Sequence, residues 1–444
     1  MLGISLMHTL ESTADSEKPV TLNTKIHDII PLDFVTTDEY TTSHASLKDA
    51  LYHRLGLPRH DLSYGGPDFT VRDTVRSFRH LPMTAELRER FQYCNMGYHT
   101  LQHVIETITG KFCGDVYDEA IFKPLGMSSS TVSLAAARES PHGLAVGYTD
   151  GKTVQPWANS RMVGGGGVIS SARDMAAYLR GMISNTLPIS DDSHAALLAP
   201  GIIGGGLRKG GEPELYAAGW VVTAYRGHRF VQHGGAVPGF ASFAGFLPDK
   251  NWGAVVLTNG DLDGVGATKA VFYRLMDEFL GVPADERRDF MEEFGKMQKG
   301  MEEGYLKTRE RLFPDAPSPP LPSSLPLEDY TGTYRHPAYQ SITFSAAKPD
   351  GNLPVAADTK EVLHADKSGN EWCVVLDLEH ISGDHFVCYV NTVAKSPMVK
   401  LMMGPRKAEF RVGPDGKVAR VGIEFLDFVE EKVPGENKIW FERV

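Results

Sequence analysis

Residues 91–98 read Phe91-Gln92-Tyr93-Cys94-Asn95-Met96-Gly97-Tyr98, and residues 231–240 read Val231-Gln232-His233-Gly234-Gly235-Ala236-Val237-Pro238-Gly239-Phe240. The first stretch follows the polar run Thr84–Arg90 and precedes a helical pattern over Leu101–Ile108 that Gly110 closes. A tyrosine hydroxyl and a carboxamide therefore project together from a turn at a helix start. Such a tyrosine can carry a proton to and from a nucleophile or leaving group when a cation lies near it. An asparagine amide can hold a substrate amide or a lysine by hydrogen bonds. The second stretch reads as the end of an apolar strand. Glycines there let a substrate backbone approach, and the N–H of Ala236 can serve as half of an oxyanion hole. His233 adds a group that titrates near neutral pH. Taken singly, both signatures are common in surface turns and hairpins; their value lies in occurring together.

Working outward, Leu2, Ile4, Leu6, Met7 and Leu10 suit a helix that opens at the first residue without a cap, as if cut rather than started. Thr41–Leu57 predicts one helix with Leu47, Leu51 and Leu55 on a stripe, stopped by Gly56-Leu57-Pro58. Gly164–Gly167 is a backbone-permissive loop that runs through Ser170-Ser171-Ala172-Arg173-Asp174 into a capped helix. Short strands follow at Ala218–Tyr225, Arg229–His233, Ala241–Leu247 and Gly253–Thr258, an antiparallel meander. A helix over Val265–Leu280 is expected to lie on that sheet with Val271, Leu275 and Phe279 inward. Phe290, Phe294, Met297, Met301 and Tyr305 predict an amphipathic helix, and Pro314–Pro326 a stiff linker. From Leu327 onward only strands and turns are read, at Trp372–Leu378, His385–Val390, Val399–Met402, Ala408–Val412 and Val418–Phe425. The expected fold class is α+β, an antiparallel sheet flanked by helices, with a C-terminal all-β barrel or sandwich. The expected domains are 1–283, a helix and linker over 284–326, and 327–444.

The chain has 444 residues, 42% hydrophobic and 23% charged, which suits a globular protein of two or three domains. A net charge of -11 with scattered Lys and Arg argues against nucleic acid or an anionic membrane as partner. Cys94, Cys113, Cys373 and Cys388 show no metal-ligand spacing, so reduced core thiols in a cytoplasmic chain are expected, although Cys373 and Cys388 can face each other on neighbouring strands. No signal peptide is expected: the short apolar start has no basic n-region and no cleavage site. Neither a metal nor a cofactor is implied.

In order along the chain come Leu51-Tyr52-His53-Arg54-Leu55-Gly56-Leu57-Pro58-Arg59-His60-Asp61, the Tyr93 motif, Phe122-Lys123-Pro124-Leu125-Gly126-Met127, the glycine run with Ser170–Met175, and His233-Gly234-Gly235. Together they resemble the serine β-lactamase-like family: class C β-lactamases, related penicillin-binding proteins, D-aminopeptidases, esterases and fungal acyl transesterases. Tyr330-Thr331-Gly332-Thr333-Tyr334 is similar to the start of the lipocalin-like barrel that many members append. The resemblance implies a covalent acyl-enzyme acting on a small amide, ester, lactam or lactone, with secondary metabolism as a setting. It implies Tyr93 as proton shuttle, Asn95 as substrate-orienting amide, and His233, Gly234 and Gly235 as the third motif, where many relatives have Lys-Thr-Gly. Ala236 falls where the N–H that completes the oxyanion hole is found, and Cys94 is expected to be buried and inert.

The family's nucleophile is a serine followed three residues later by lysine, upstream of the Tyr93 motif. No such pair precedes Tyr93 here. Leu2–Leu10 resembles the later part of the helix that carries it, so the nucleophile is expected before Met1. Two stand-ins stay open, Ser5 with His8 and the thiol of Cys94; Ser345-Ala346-Ala347-Lys348 satisfies the spacing but is taken as chance, because it sits in the β-rich region, where positions three apart face opposite sides of a strand. The alternative to an enzyme is an inactive paralogue that binds an acyl ligand or a partner protein. Oligomeric state cannot be read.

Overall fold

The computed structural model describes residues 1–141, 143–149, 153–155, 161–204, 212–392, 404–426 and 437–444. The chain divides into two compact units. The first comprises Met1–Arg59, Phe69–Gly147 and Pro156–Arg288, and the second comprises His60–Asp68, Tyr148–Gln155 and Asp289–Val444. Among the described residues no helix is long and apolar enough to cross a membrane.

In the first unit, helix α1 (Leu2–Ser12) is buried nearly all round, at Leu2, Gly3, Ile4, Ser5, Leu6, Met7, Thr9 and Leu10. It is thus a central helix rather than a surface one. It packs on α2 (Asn95–Thr109), which ends where Gly110 adopts a left-handed φ of 66°. Helix α3 (Ala172–Ser184) starts where the Ser171 side chain accepts from the Asp174 N–H.

The sheet is antiparallel, in the order β1 (Ile202–Ile203), β2 (Leu215–Tyr216), β3 (Val221–Tyr225), β4 (His228–Val237), β5 (Phe240–Leu247) and β6 (Trp252–Thr258). Helix α4 (Leu262–Phe279) covers one face, where Phe272 and Met276 pack on Phe230, Phe243 and Leu247. On the other, Trp220 stacks on Tyr178 of α3 and meets Phe246 edge-on.

Two expectations need correction here. Val271, Leu275 and Phe279 do not point inward; they are 47%, 45% and 49% exposed. The face one residue further on, Thr268, Phe272 and Met276, is the buried one. Thr41–Leu57 is not one helix. It breaks into Glu39–His44 and Leu47–Leu51 because Ser46 and Asp49 form a reciprocal capping box that starts a new helix. The second piece ends in a Schellman-type turn: His53 takes φ 54°, its N–H reaches Ala50 O at 3.2 Å, and the Arg54 N–H reaches Asp49 O at 3.0 Å.

Asp33 ties three elements of this unit. It accepts from His103 Nε2 at 2.9 Å, Arg76 Nε at 2.6 Å and Arg72 Nε at 3.0 Å. Burial works to raise its pKa, but these hydrogen bonds outweigh it and hold the carboxyl down at about 2. A folded pKa below the unfolded value makes the contribution full above about pH 4, with loss as the pH falls towards 2. Urea unfolding of the parent and of Asp33→Asn is therefore expected to show a stability gap at pH 7 that narrows steadily between about pH 4 and pH 2. A gap that is constant over that window contradicts the assignment.

The second unit carries α5 (Phe290–Leu306) and a closed antiparallel barrel. Its strands are β7 (Gly332–His336), β8 (Gln340–Ala347), β9 (Val362–Lys367), β10 (Val374–Ser382), β11 (His385–Thr392), β12 (Arg406–Val412), β13 (Val418–Ile423) and β14 (Ile439–Arg443), with β14 closing on β7. Tyr330, Tyr334, Phe344, Phe386 and Phe410 meet edge-on inside. Outside, Tyr305 of α5 packs on Ile381, Val387 and Tyr389, whereas Met297 of the expected stripe is 45% exposed. The early segment His60–Asp68 belongs to this unit: His60 Nδ1 lies 2.9 Å from Tyr339 Oη, and Gln340 Nε2 donates to Ser63 O at 2.8 Å. The strand expected at Val399–Met402 lies outside the described residues. Cys94, Cys113, Cys373 and Cys388 are all free thiols; Cys388 pairs across the ladder with Leu378, five positions from Cys373.

Candidate active site

His233-Gly234-Gly235 does not end its strand, as the glycines suggested. Strand β4 continues to Val237, with Gly234 opposite Phe243 and Gly235 opposite Ser242. Gly235 has no Cβ to spare: one built there would lie 2.7 Å from Ser242 Oγ. The strand is central only in its first half, because its pairing with β3 stops at Gln232 opposite Val221. From His233 to Val237 the side that faced β3 has no partner strand among the described residues. The hairpin Tyr225↔His228 and the hairpin Val237↔Phe240 fix which main-chain groups point which way. Both place the N–H and C=O of Gly234 and Ala236 on the open edge. Side chains alternate the other way, so His233 shares the face of Val231 and Phe246, opposite to α4.

Tyr93 meets His233 there. The two ring centroids are 6.4 Å apart, and the Tyr93 ring lies 4.2 Å from that of His53. The Arg59 guanidinium sits 5.5 Å from the Tyr93 ring centroid. Asn95 opens α2, and the glycine run passes against it. A Cβ on Gly165 would lie 3.1 Å from Asn95 Cβ and 3.1 Å from His99 Nε2. A Cβ on Gly164 would collide with Tyr98 O at 2.4 Å, and the Gly164 N–H donates to Gln102 Oε1 at 2.8 Å. Glycine is thus required for the loop to lie along the helix. Cys94 is buried, 3% exposed.

A chain of hydrogen bonds crosses the site, and its direction follows from donors that have one choice. The Cys94 N–H donates to His53 Nδ1 at 3.1 Å, so the proton of neutral His53 is on Nε2. Nε2 lies 3.2 Å from Tyr216 Oη. Tyr98 gives its own proton to Leu51 O at 2.9 Å. The Tyr216 proton then faces two acceptors, Tyr98 Oη and His233 Nε2, each at 3.5 Å. His233 Nδ1 is 2.6 Å from the Gly234 carbonyl, an acceptor only, so Nδ1 carries the proton and Nε2 accepts. Burial, with His233 nearby, lowers the His53 pKa to about 3. Burial likewise lowers that of His233, which the Gly234 bond opposes. Burial pushes the Tyr216 hydroxyl well up. Both imidazoles are therefore neutral near pH 7.

The structure thus brings Tyr93, Asn95 and the His233–Ala236 edge into the first unit together. It adds His53, Arg59 and Tyr216, which the sequence reading did not single out. His53 and Arg59 stand in the segment that carried the resemblance, so that segment held the signal. The stand-in nucleophiles fare differently. Ser5 is wholly buried with no hydroxyl partner among the described residues, and His8 turns to Pro188 O at 3.3 Å. Ser345 lies on strand β8, in the second unit.

Residues 12–275 match the family described as Beta-lactamase, and residues 316–443 match a domain of unknown function, DUF3471. The chain belongs to the beta-lactamase family. It is similar to the unguisins hydrolase ungD' of Aspergillus campestris, 30% identical over 433 residues that span 95% of this chain and 77% of that one. It is also similar to a D-aminopeptidase of Cereibacter sphaeroides, 26% identical over 212 residues, 45% of this chain and 40% of that one. Among solved structures, the octameric penicillin-binding protein homologue of Pyrococcus abyssi shares the fold, with a TM-score of 0.56 at 19% identity over 95% of this chain and 84% of that one.

Proposed function

We propose that the first unit is the acyl-transfer unit of a serine hydrolase acting on a small amide, through an acyl-enzyme. One observation carries this reading: the Tyr93 ring lies 6.4 Å from the ring of His233, the residue next to the open edge of Gly234–Ala236, and Asn95 lies beside the glycine run. The hydrolase reading is supported by relatives named unguisins hydrolase and D-aminopeptidase. In this reading the substrate carbonyl lies along the edge, and its oxygen takes the Ala236 N–H as charge develops. Asn95 holds the substrate amide. Tyr93 passes the nucleophile's proton to the leaving nitrogen, and the Arg59 cation steadies the tyrosinate formed in between. The His53–Tyr216–His233 chain fixes the strand against the Tyr93 turn and holds the imidazoles uncharged. No serine followed three residues later by lysine precedes Tyr93 in residues 1–444, so none of the described residues is assigned the attacking role.

Ala236→Pro tests the oxyanion role with little risk to the fold, because the N–H it removes faces an open edge, where proline is tolerated. In an active form of the protein that hydrolyses an amino-acid p-nitroanilide, kcat is expected to fall about 10²–10³-fold with KM little changed. Full activity in a normally folded variant contradicts the oxyanion assignment.

A further inference from the structure

On the outer face of the barrel, β8, β9, β10 and β11 form the floor of a cavity of about 610 Å3. The loop after β8, with Lys348 and Asp350, forms its rim, and His364, Val375, Asp377 and Asn391 form its floor. The ladder sets this row. His364 lies opposite Asp377, and Val375 opposite Asn391, so all four side chains share the outward face.

The polar groups of this floor are unevenly matched. Asn391 is 6% exposed, and its Oδ1 has no hydrogen-bond partner among the described residues. A buried acceptor left unsatisfied is costly, so a retained one asks for a donor. His364 Nδ1 lies 2.8 Å from Asp377 Oδ1, which occupies only one of that carboxylate's oxygens. Next to the cavity the Tyr305 hydroxyl, 8% exposed as a residue, also has no partner among the described residues. Burial and then the charges of Asp377 and Asp350 raise its pKa, so both carboxylates act on that hydroxyl. The walls therefore offer acceptors and negative charge, and among the described lining residues Lys348 is the one lysine or arginine, at the rim. Among the described residues no group of three His, Cys, Asp or Glu side chains converges closely enough to hold a metal. Acceptors spread in this way suit the three N–H bonds of an ammonium on an organic molecule better than a bare ion.

We propose that this cavity binds the primary ammonium group of a small organic molecule, such as an amino-acid amide or the amino end of a short peptide. The ammonium donates to Asn391 Oδ1 and the Asp377 carboxylate, and Lys348 takes a carbonyl or carboxylate at the ligand's other end. The site is independent of the acyl-transfer reading and needs no nucleophile.

Phenylalaninamide is the probe, with N-acetylphenylalaninamide as its uncharged counterpart. The full chain as it stands is expected to show a concentration-dependent rise in Tm with the amine and none with the acetylated compound. Asn391→Leu is expected to fold with an equal or higher Tm, since it removes the orphan acceptor, yet to bind the amine at least about tenfold more weakly, the worth of one hydrogen bond. Ala236→Pro, in the other unit, is expected to keep the full response. Three results overturn the proposal: no shift with the amine, an equal shift with the acetylated compound, or a response lost in Ala236→Pro and kept in Asn391→Leu.

Discussion

Tyr93→Phe, in an active form of the protein, is expected to lower kcat about 10²–10⁴-fold, the usual worth of a positioned proton-transfer group. The substitution is narrow. It keeps the ring that lies 4.2 Å from His53 and 6.4 Å from His233, and it keeps the aromatic face towards Arg59. Only the hydroxyl is removed, so KM and Tm are expected to stay close to the parent values. Steady-state kinetics on an amino-acid p-nitroanilide read both parameters. An unchanged kcat removes Tyr93 from the proton path, even if the cleft itself is correct.

Glu379→Ala is expected to destabilise the barrel unit by about 3 kcal/mol, the low end for breaking a buried ion pair. Glu379 is wholly buried and pairs with Arg309, while its oxygens also accept from the Ala356 N–H at 2.7 Å, Thr359 Oγ1 at 3.1 Å and Tyr389 Oη at 2.9 Å. Alanine leaves all four donors without their acceptor. The low end applies because Arg309 is 30% exposed and can turn to water. Urea unfolding monitored by fluorescence measures the loss, and Glu379→Gln, which retains an acceptor oxygen, is expected to lose less. A change under about 1 kcal/mol would show that the network adds no more than an ordinary hydrogen bond.

The parts of this molecule that were legible in its sequence are those set by local rules. Ser171 before Ala172, Gly110 after Thr109, and the alternation through Ala241–Leu247 and Gly253–Thr258 each announced their element. The errors arose where tertiary pairing decides. Gly234-Gly235 reads as a strand end, but the partner residues Phe243 and Ser242 hold it extended, and the glycines serve close approach instead of a turn. Helix α4 offers two apolar stripes one residue apart, and only the packing of Phe230 and Phe243 selects Phe272 and Met276 over Val271 and Leu275. His53 was hidden by its backbone. A left-handed φ is expected of glycine or asparagine, so a histidine at that turn reads as helix interior, whereas it closes the helix and turns its ring to Tyr93. Tyr216 lies in a two-residue strand with no local signature, and its link to His53 spans 163 positions.

The central proposal is that Tyr93 and the Gly234–Ala236 edge serve acyl transfer, although no Ser-x-x-Lys pair stands upstream of Tyr93 in residues 1–444. Incubation with a fluorophosphonate or a penicillin-type acylating probe, read by intact mass, tests it most directly. No adduct is expected on residues 1–444, because no serine followed three residues later by lysine precedes Tyr93. An adduct on any serine of residues 1–444 would contradict it.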